Sequence, residues 1–329
     1  MSVSPPPPLR LDMPAHELQR VAQRFGGRFE LRGLTEGPLS GAHKSRAMGA
    51  SLDFAQHRDY VPGDEPKHLD WRAYAKNDRL VVRQYQQETN LRVYLVVDRS
   101  LSMAYRGGAE VSKGVYAARV AALISWMLLL QGEAVGLATF GGQLSQLSPA
   151  ASSREHFWRV ISALEASEWE PDTDPARALS ALAERLPPRS LVIALSDGFD
   201  FKLSEPLHEE RGSLLRRGLV KGRGGEGLSA LAGRLKAQGH TVSLLHLLDP
   251  HELSFPFDEL SLFEGLEGEE ALKLDPEGVR GAYLEEINAF CEALKGRASS
   301  LGVRYARCLT DQPLERALAA LAGREGAET

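Results

Sequence analysis

The run Val93-Tyr94-Leu95-Val96-Val97 is apolar at every position and ends abruptly at Asp98. A strand with one wet face alternates apolar and polar residues. A run without alternation suits a strand buried on both faces, as inside a parallel sheet. Further buried strands read at 134–140 and at 191–195 (closed by Ser196-Asp197-Gly198), with other strands at 241–248 and 303–308 and a shorter one at 144–147 after the turn Gly141-Gly142. Helical periodicity fills the intervals at 109–130, 154–164, 175–186, 228–237, 279–294 and 313–321. Strands alternating with helices of this length predict an α/β fold, a doubly wound, mostly parallel sheet covered on both faces.

The rest of the chain divides around that domain. Residues 1–14 form a Pro-rich tail whose four consecutive prolines favour extended polyproline conformation, with a short helix expected from residue 14 to 25. Residues 15–90 are a smaller, β-rich N-terminal region with strand-like pieces at 51–54 and 80–85 and a turn at Val61-Pro62-Gly63-Asp64. The main domain spans 91–329. Residues 204–227, rich in Gly and Arg, read as a flexible excursion from it. Residues 250–278 read as an acidic insertion, with a hairpin expected there; eleven Asp or Glu lie between positions 250 and 290, against Lys273 and Arg280.

Composition narrows the function classes. Hydrophobic residues make up 43 %, enough for a real core. The net charge of −5 and the lack of a basic stripe speak against a nucleic-acid partner. The two cysteines, Cys291 and Cys308, form no CxxC and suit a reducing compartment. The N-terminus carries no signal-peptide pattern. The longest apolar stretch, 120–130, is far short of the ~20 residues of a membrane span. A cytoplasmic location is expected.

The chemistry concentrates at strand ends, where open α/β sheets bind their ligands. Asp98-Arg99-Ser100-Leu101-Ser102 places one carboxylate and two hydroxyls on a single loop. Asp197 follows the strand at 191–195, and Thr173 precedes the helix that starts near Pro175. Together these five residues could form an oxygen cage for a hard cation such as magnesium. Taken alone, the first loop reads equally as a helix cap or polar turn.

This constellation resembles the metal-ion-dependent adhesion site of von Willebrand factor A-like domains. Asp98, Ser100 and Ser102 match its DxSxS motif, Thr173 its threonine loop and Asp197 its third loop. Pro171-Asp172 stands where family members often carry Gly-Gly. The resemblance implies one Mg2+ or Mn2+ ion and a protein-binding role.

Upstream, the ordered pattern Gly41-x-His43-x-Ser45, Gly49-x-x-x-Asp53-Phe54, Arg58-x-Tyr60-x-Pro62-Gly63-Asp64, Leu69-Asp70-Trp71, Asp78-Arg79-Leu80-x-Val82-Arg83 and Glu88 is similar to the bacterial family called domain-of-unknown-function fifty-eight. The likeness continues through Leu248-Asp249-Pro250-x-Glu252-Leu253 and Val279-Arg280-x-x-Tyr283-Leu284. Genes of that family commonly sit beside MoxR-type AAA+ ATPases. The resemblance therefore implies an adaptor or co-chaperone that works with such an ATPase or with a client protein. Arg58, Asp64, Asp70, Arg72, Arg79 and Arg83 read as an ion-pair network around Trp71 and Tyr60, or Arg58, Tyr60, Asp64, Asp70, Trp71, Arg79 and Arg83 read as a docking surface, since Arg, Trp and Tyr are enriched at binding hot spots.

An enzyme is not expected. The chain has no HExxH, no GxSxG and no phosphate loop. Asp174 and Asp200 read as a helix cap and a solvated loop residue. The alternatives are a magnesium-dependent phosphoester hydrolase and a scaffold whose metal site is vacant.

Overall fold

A computed structural model describes residues 9–26, 29, 53–60, 69–77, 79–86, 92–170, 174–198, 233–258, 261–263, 272–274 and 276–323. They fall into two compact units, one joining Met1–Leu39 to Leu91–Thr329 and the other Ser40–Asn90. The sequence places the first boundary at residue 15. Part of the segment that the sequence assigns to the smaller region packs into the larger unit's core. Leu9, Leu11, Phe29 and three residues of α1 (Ala15–Arg24), namely Leu18, Val21 and Ala22, are buried there. Arg119 Nε donates to the Leu11 carbonyl at 2.9 Å and the Leu11 N–H donates to Glu165 at 3.3 Å.

The smaller unit pairs β1 (Asp53–Asp59) antiparallel with β2 (Val81–Gln86) and carries a short helix, α2 (Trp71–Asn77). Asp70 starts that helix. Its backbone N–H donates to the Val81 carbonyl, and its carboxylate accepts from the Ala73 N–H at 3.1 Å.

The larger unit is built on a six-stranded sheet. In chain order its elements are β3 (Arg92–Asp98), α3 (Lys113–Leu130), β4 (Ala134–Phe140), β5 (Leu144–Ala151), α4 (Arg154–Glu165), α5 (Pro175–Ala183), β6 (Leu191–Ser196), β7 (Thr241–Leu248), α6 (Pro250–Ser254), the antiparallel pair β8 (Ser261–Phe263) and β9 (Leu272–Leu274), α7 (Pro276–Ser300), β10 (Arg304–Leu309) and α8 (Leu314–Ala322). The strand order is β10-β7-β6-β3-β4-β5, parallel throughout except for β5. β5 runs antiparallel at the edge, and its Pro149 falls where the register with β4 shifts, a place that needs no ladder N–H.

Alternation along the strands feeds two cores. Val93, Leu95 and Val97 pack with α1, α3, α4 and α8, whereas Tyr94 and Val96 pack with α5 and α7 on the other side. The sheet is doubly wound, as its apolar runs predict. Helix α3 is the centre of the first layer. Fourteen of its eighteen residues are buried, which accounts for its apolar character on all sides. Among the described residues it is the one helix long and apolar enough to cross a bilayer, and 78 % of it lies buried inside the fold. It begins later than its periodicity suggests, because Ser112 caps it by accepting from the Val115 N–H. The acidic insertion holds α6 and the expected hairpin, and the excursion at 204–227 lies outside the described residues.

From β3 the chain moves outward to β4 and β5, then crosses to β6 on the opposite side of β3. The carboxyl ends of β3 and β6 therefore flank the switch point, where sheets of this kind leave a crevice. Asp98 closes β3, and Ser196-Asp197 closes β6.

Candidate metal centre

Asp98 is buried, and both its oxygens are engaged. Oδ1 accepts from the Ser100 N–H at 2.9 Å and Oδ2 from the Ser196 hydroxyl at 2.6 Å, and Ser196 Oγ in turn accepts from the Gly198 N–H at 3.0 Å. These bonds tie the end of β6 to the end of β3 and fix the turn that presents Ser100. Burial, reinforced by the negative charge of Asp197, raises the Asp98 carboxyl to about 6, against the lowering effect of the bonds from Ser196 and Ser100. Two carboxylates confined this closely call for positive charge.

Ser100 is buried and Ser102 half-buried. A 3-10 turn, Leu101–Ala104, brings their hydroxyl oxygens to 2.9 Å from each other. Magnesium at 2.0–2.1 Å from octahedral oxygen ligands requires neighbouring ligands about 2.9 Å apart. The two hydroxyls share a hydrogen bond, and its 2.9 Å span also matches one edge of such an octahedron, with the Asp98 carboxylate bonded to the Ser100 N–H beside them. The residues fit a small divalent cation, which Ser100 and Ser102 would hold with the carboxylates balancing its charge. Among the described residues no group of three or more His, Cys, Asp or Glu is placed to hold a metal ion, so the candidate cage is one of hydroxyls and acids.

Thr173, the fifth expected ligand, lies outside the described residues together with Pro171 and Asp172. Both flanks of that segment are well placed. Glu170 pairs with the DxSxS loop, its N–H donating to the Arg99 carbonyl at 2.9 Å and its carbonyl accepting from the Leu101 N–H at 3.1 Å. Its carboxylate accepts from the Gly142 N–H and the Ser145 hydroxyl. Asp174 donates its N–H to the Gly141 carbonyl and caps α5 through the Arg177 N–H, the capping role its sequence position suggests. Arg99 braces the same loop pair. It is fully buried, its guanidinium lies 4.1 Å from the centre of the Trp169 ring, and Nη2 donates to the Ser167 carbonyl at 3.0 Å.

Sequence reasoning missed Lys113, at the first position of α3. Its ammonium is buried and bonds Asp197 at 2.9 Å and Glu252 at 2.6 Å. Burial on its own would lower its proton affinity, but the charges of Asp197 and Glu252 outweigh burial and raise it, so the side chain is a permanent cation. Glu252 is shifted upward by burial, against the pull of Lys113. Asp249 belongs to the same construction. It caps α6 in a reciprocal box with Glu252 and accepts from the N–H groups of Gly107 at 3.0 Å and Gly108 at 2.7 Å. Those N–H bonds hold its carboxyl below the ordinary range although burial pushes the other way. A Cβ at Gly107 would lie 2.6 Å from the Tyr105 hydroxyl and 2.8 Å from Asp249, and one at Gly108 would lie 2.6 Å from the His251 ring, so a side chain at either position would have to push those groups aside. The Asp249-Pro250-x-Glu252 pattern is thus a latch that positions both the loop and Lys113.

The upstream candidates belong to the smaller unit. Asp70 caps α2 and is buried. Trp71 is 59 % exposed and meets Tyr74 edge-on at 6.4 Å, and Tyr60 is half-buried with its N–H on the Leu80 carbonyl. Arg79 is exposed. Asp64 and the side chains of Arg58, Arg72 and Arg83 lie outside the described residues.

The family model for DUF58, described as a protein of unknown function, matches residues 56–290. The chain belongs to the DUF58 family. A DUF58-sized match also links it to the uncharacterized protein Rv1480 of Mycobacterium tuberculosis, 26 % identical over 77 % of this chain and 72 % of that protein. Among solved structures, the conserved hypothetical protein BatB from Bacteroides thetaiotaomicron aligns with 71 % of the chain and 98 % of its own at 16 % identity, with a TM-score of 0.44. The SpRpn10 VWA domain aligns with 70 % of the chain and 94 % of its own at 12 % identity and a TM-score of 0.36. This DUF58 chain has a mixed α/β fold built on a mostly parallel six-stranded sheet with a single antiparallel edge.

Proposed function

We propose that this chain is a divalent-cation-dependent protein-binding adaptor that works in the cytoplasm with a MoxR-type AAA+ ATPase. The observation that carries the cation part is the 2.9 Å edge formed by Ser100 and Ser102 beside the buried carboxylates of Asp98 and Asp197 at the sheet's switch point. The ATPase partner rests on the DUF58 resemblance. A bound Mg2+ or Mn2+ would supply a Lewis-acidic point that a partner's carboxylate completes. The chain's own residues do the rest: Ser196 and the Ser100 N–H orient Asp98, the 3-10 turn converges the two hydroxyls, and the Asp249 latch keeps the adjoining loop in place.

A binding role suits the surrounding titratable groups better than hydrolysis. Lys113 is committed to two carboxylates, Asp249 to backbone N–H groups, Asp174 to a helix cap, and His246 Nδ1 to the Tyr305 hydroxyl at 2.7 Å. Lys113, Asp249 and Asp174 are thus each committed to a structural contact.

The test is a binding assay between the purified protein and the MoxR-type ATPase of its own genome, in magnesium and in chelator, with Ser102→Ala as the control. Binding that needs magnesium and fails in the variant supports the reading. Binding that survives both moves the interface away from the cage. Magnesium-dependent turnover of a phosphoester would replace the reading with hydrolysis. A melting temperature indifferent to magnesium and manganese would replace it with a scaffold whose site stays vacant.

A further inference from the structure

Lys113 sits in an unfavourable place. The first position of a helix meets the positive end of the helix dipole, where a cation is disfavoured. Burial adds a desolvation cost, and this side chain is 1 % exposed. Two carboxylates from distant segments, Asp197 after β6 and Glu252 in α6, close on the ammonium at 2.9 and 2.6 Å, and the Tyr105 ring lies 5.7 Å from it. One of these partners, Asp197, is the acid whose charge Asp98 feels. The ammonium is thus bonded to two acids, Asp197 and Glu252, while Asp98 feels Asp197 on one side and has the buried Arg99 guanidinium as its neighbour in the chain.

We propose that Lys113 is a resident counter-cation of this site, which competes with a divalent ion for Asp197 and thereby sets the affinity of the Ser100–Ser102 cage. The inference rests on the cation reading given above. The ammonium already neutralises Asp197, so an incoming ion finds that carboxylate half-used. Glu252 in turn offsets the ammonium, so Lys113 and Glu252 pull on the ion's affinity in opposite directions. A purely structural role would act differently, since loosening the site by either substitution would weaken binding.

The experiment is a titration with Mn2+ alone, following the free-ion paramagnetic signal, on the full-length protein and on Lys113→Met, Glu252→Gln and the double variant. Lys113→Met should bind about tenfold tighter or more than the parent, and Glu252→Gln about tenfold weaker. The double variant leaves no extra buried charge and keeps the test readable if Lys113→Met fails to fold. It should bind at least about tenfold tighter than Glu252→Gln alone. Weaker or unchanged binding on removing the lysine, with the parent binding normally, overturns this proposal and leaves the cation site standing. No Mn2+ binding by any of the four proteins overturns both.

Discussion

Lys113 and Glu252 meet at 2.6 Å inside the fold although 139 residues separate them in the chain. Their contact joins the start of the central helix to the turn after β7, and through Asp197 it joins both to the end of β6.

Breaking that junction from one side should be costly. Lys113→Met leaves Asp197 and Glu252 buried without their cation, and a loss of about 3–5 kcal/mol is expected. Urea denaturation at pH 7 measures it. Adding Glu252→Gln to the same variant should recover part of the loss, because it removes one of the stranded charges. Additive losses would show that the two residues do not act as a pair.

The Asp249 latch makes a separate prediction. Gly108→Ala forces a methyl group against the His251 ring and should cost about 1–3 kcal/mol. Asp249→Asn should be destabilising as well, and amide exchange at 107–109 should speed up in it while the amides of β3 stay protected. Unchanged exchange at these amides would mean that the carboxylate does not hold the loop.

His246 gives a pH signature. Burial lowers it to about 4, against a smaller raising effect from Asp197. An unfolded histidine takes up its proton near 6.5, whereas the folded one stays neutral until about 4. Its contribution to stability is complete above pH 6.5 and is lost as the pH falls from 6.5 to 4, by about 3 kcal/mol. Asp98 works in the opposite sense, because its raised pKa lets the folded state take up a proton first between about 6 and 4. The readout is therefore the difference between the protein and His246→Gln: the variant should lose less stability on acidification over that window. Parallel pH profiles would contradict this.

Much of the architecture is legible because strands buried on both faces leave unbroken apolar runs. β3 and β6 hold such runs, at 93–97 and 191–195, and Asp98 and Asp197 stand out as the first acids after them. What the sequence hides is long-range. Lys113 reads as one more polar residue near a helix start, since its partners lie 84 and 139 residues away. Asp249 and Glu252 enter the sequence only as part of a family pattern; their capping of α6 and their hold on a loop some 140 residues earlier appear only in the fold. The packing of residues 9–29 into the main core is similarly hidden, because a short amphipathic helix does not announce which surface it covers.

The central claim is that Ser100 and Ser102 form one edge of a cation cage. Isothermal titration of Mn2+ into the protein and into Ser100→Ala/Ser102→Ala tests it most directly, with circular dichroism confirming that the variant stays folded. The account predicts one bound ion per chain in the parent and none in the variant. No binding in the parent at millimolar Mn2+, or equal binding in both, would contradict it.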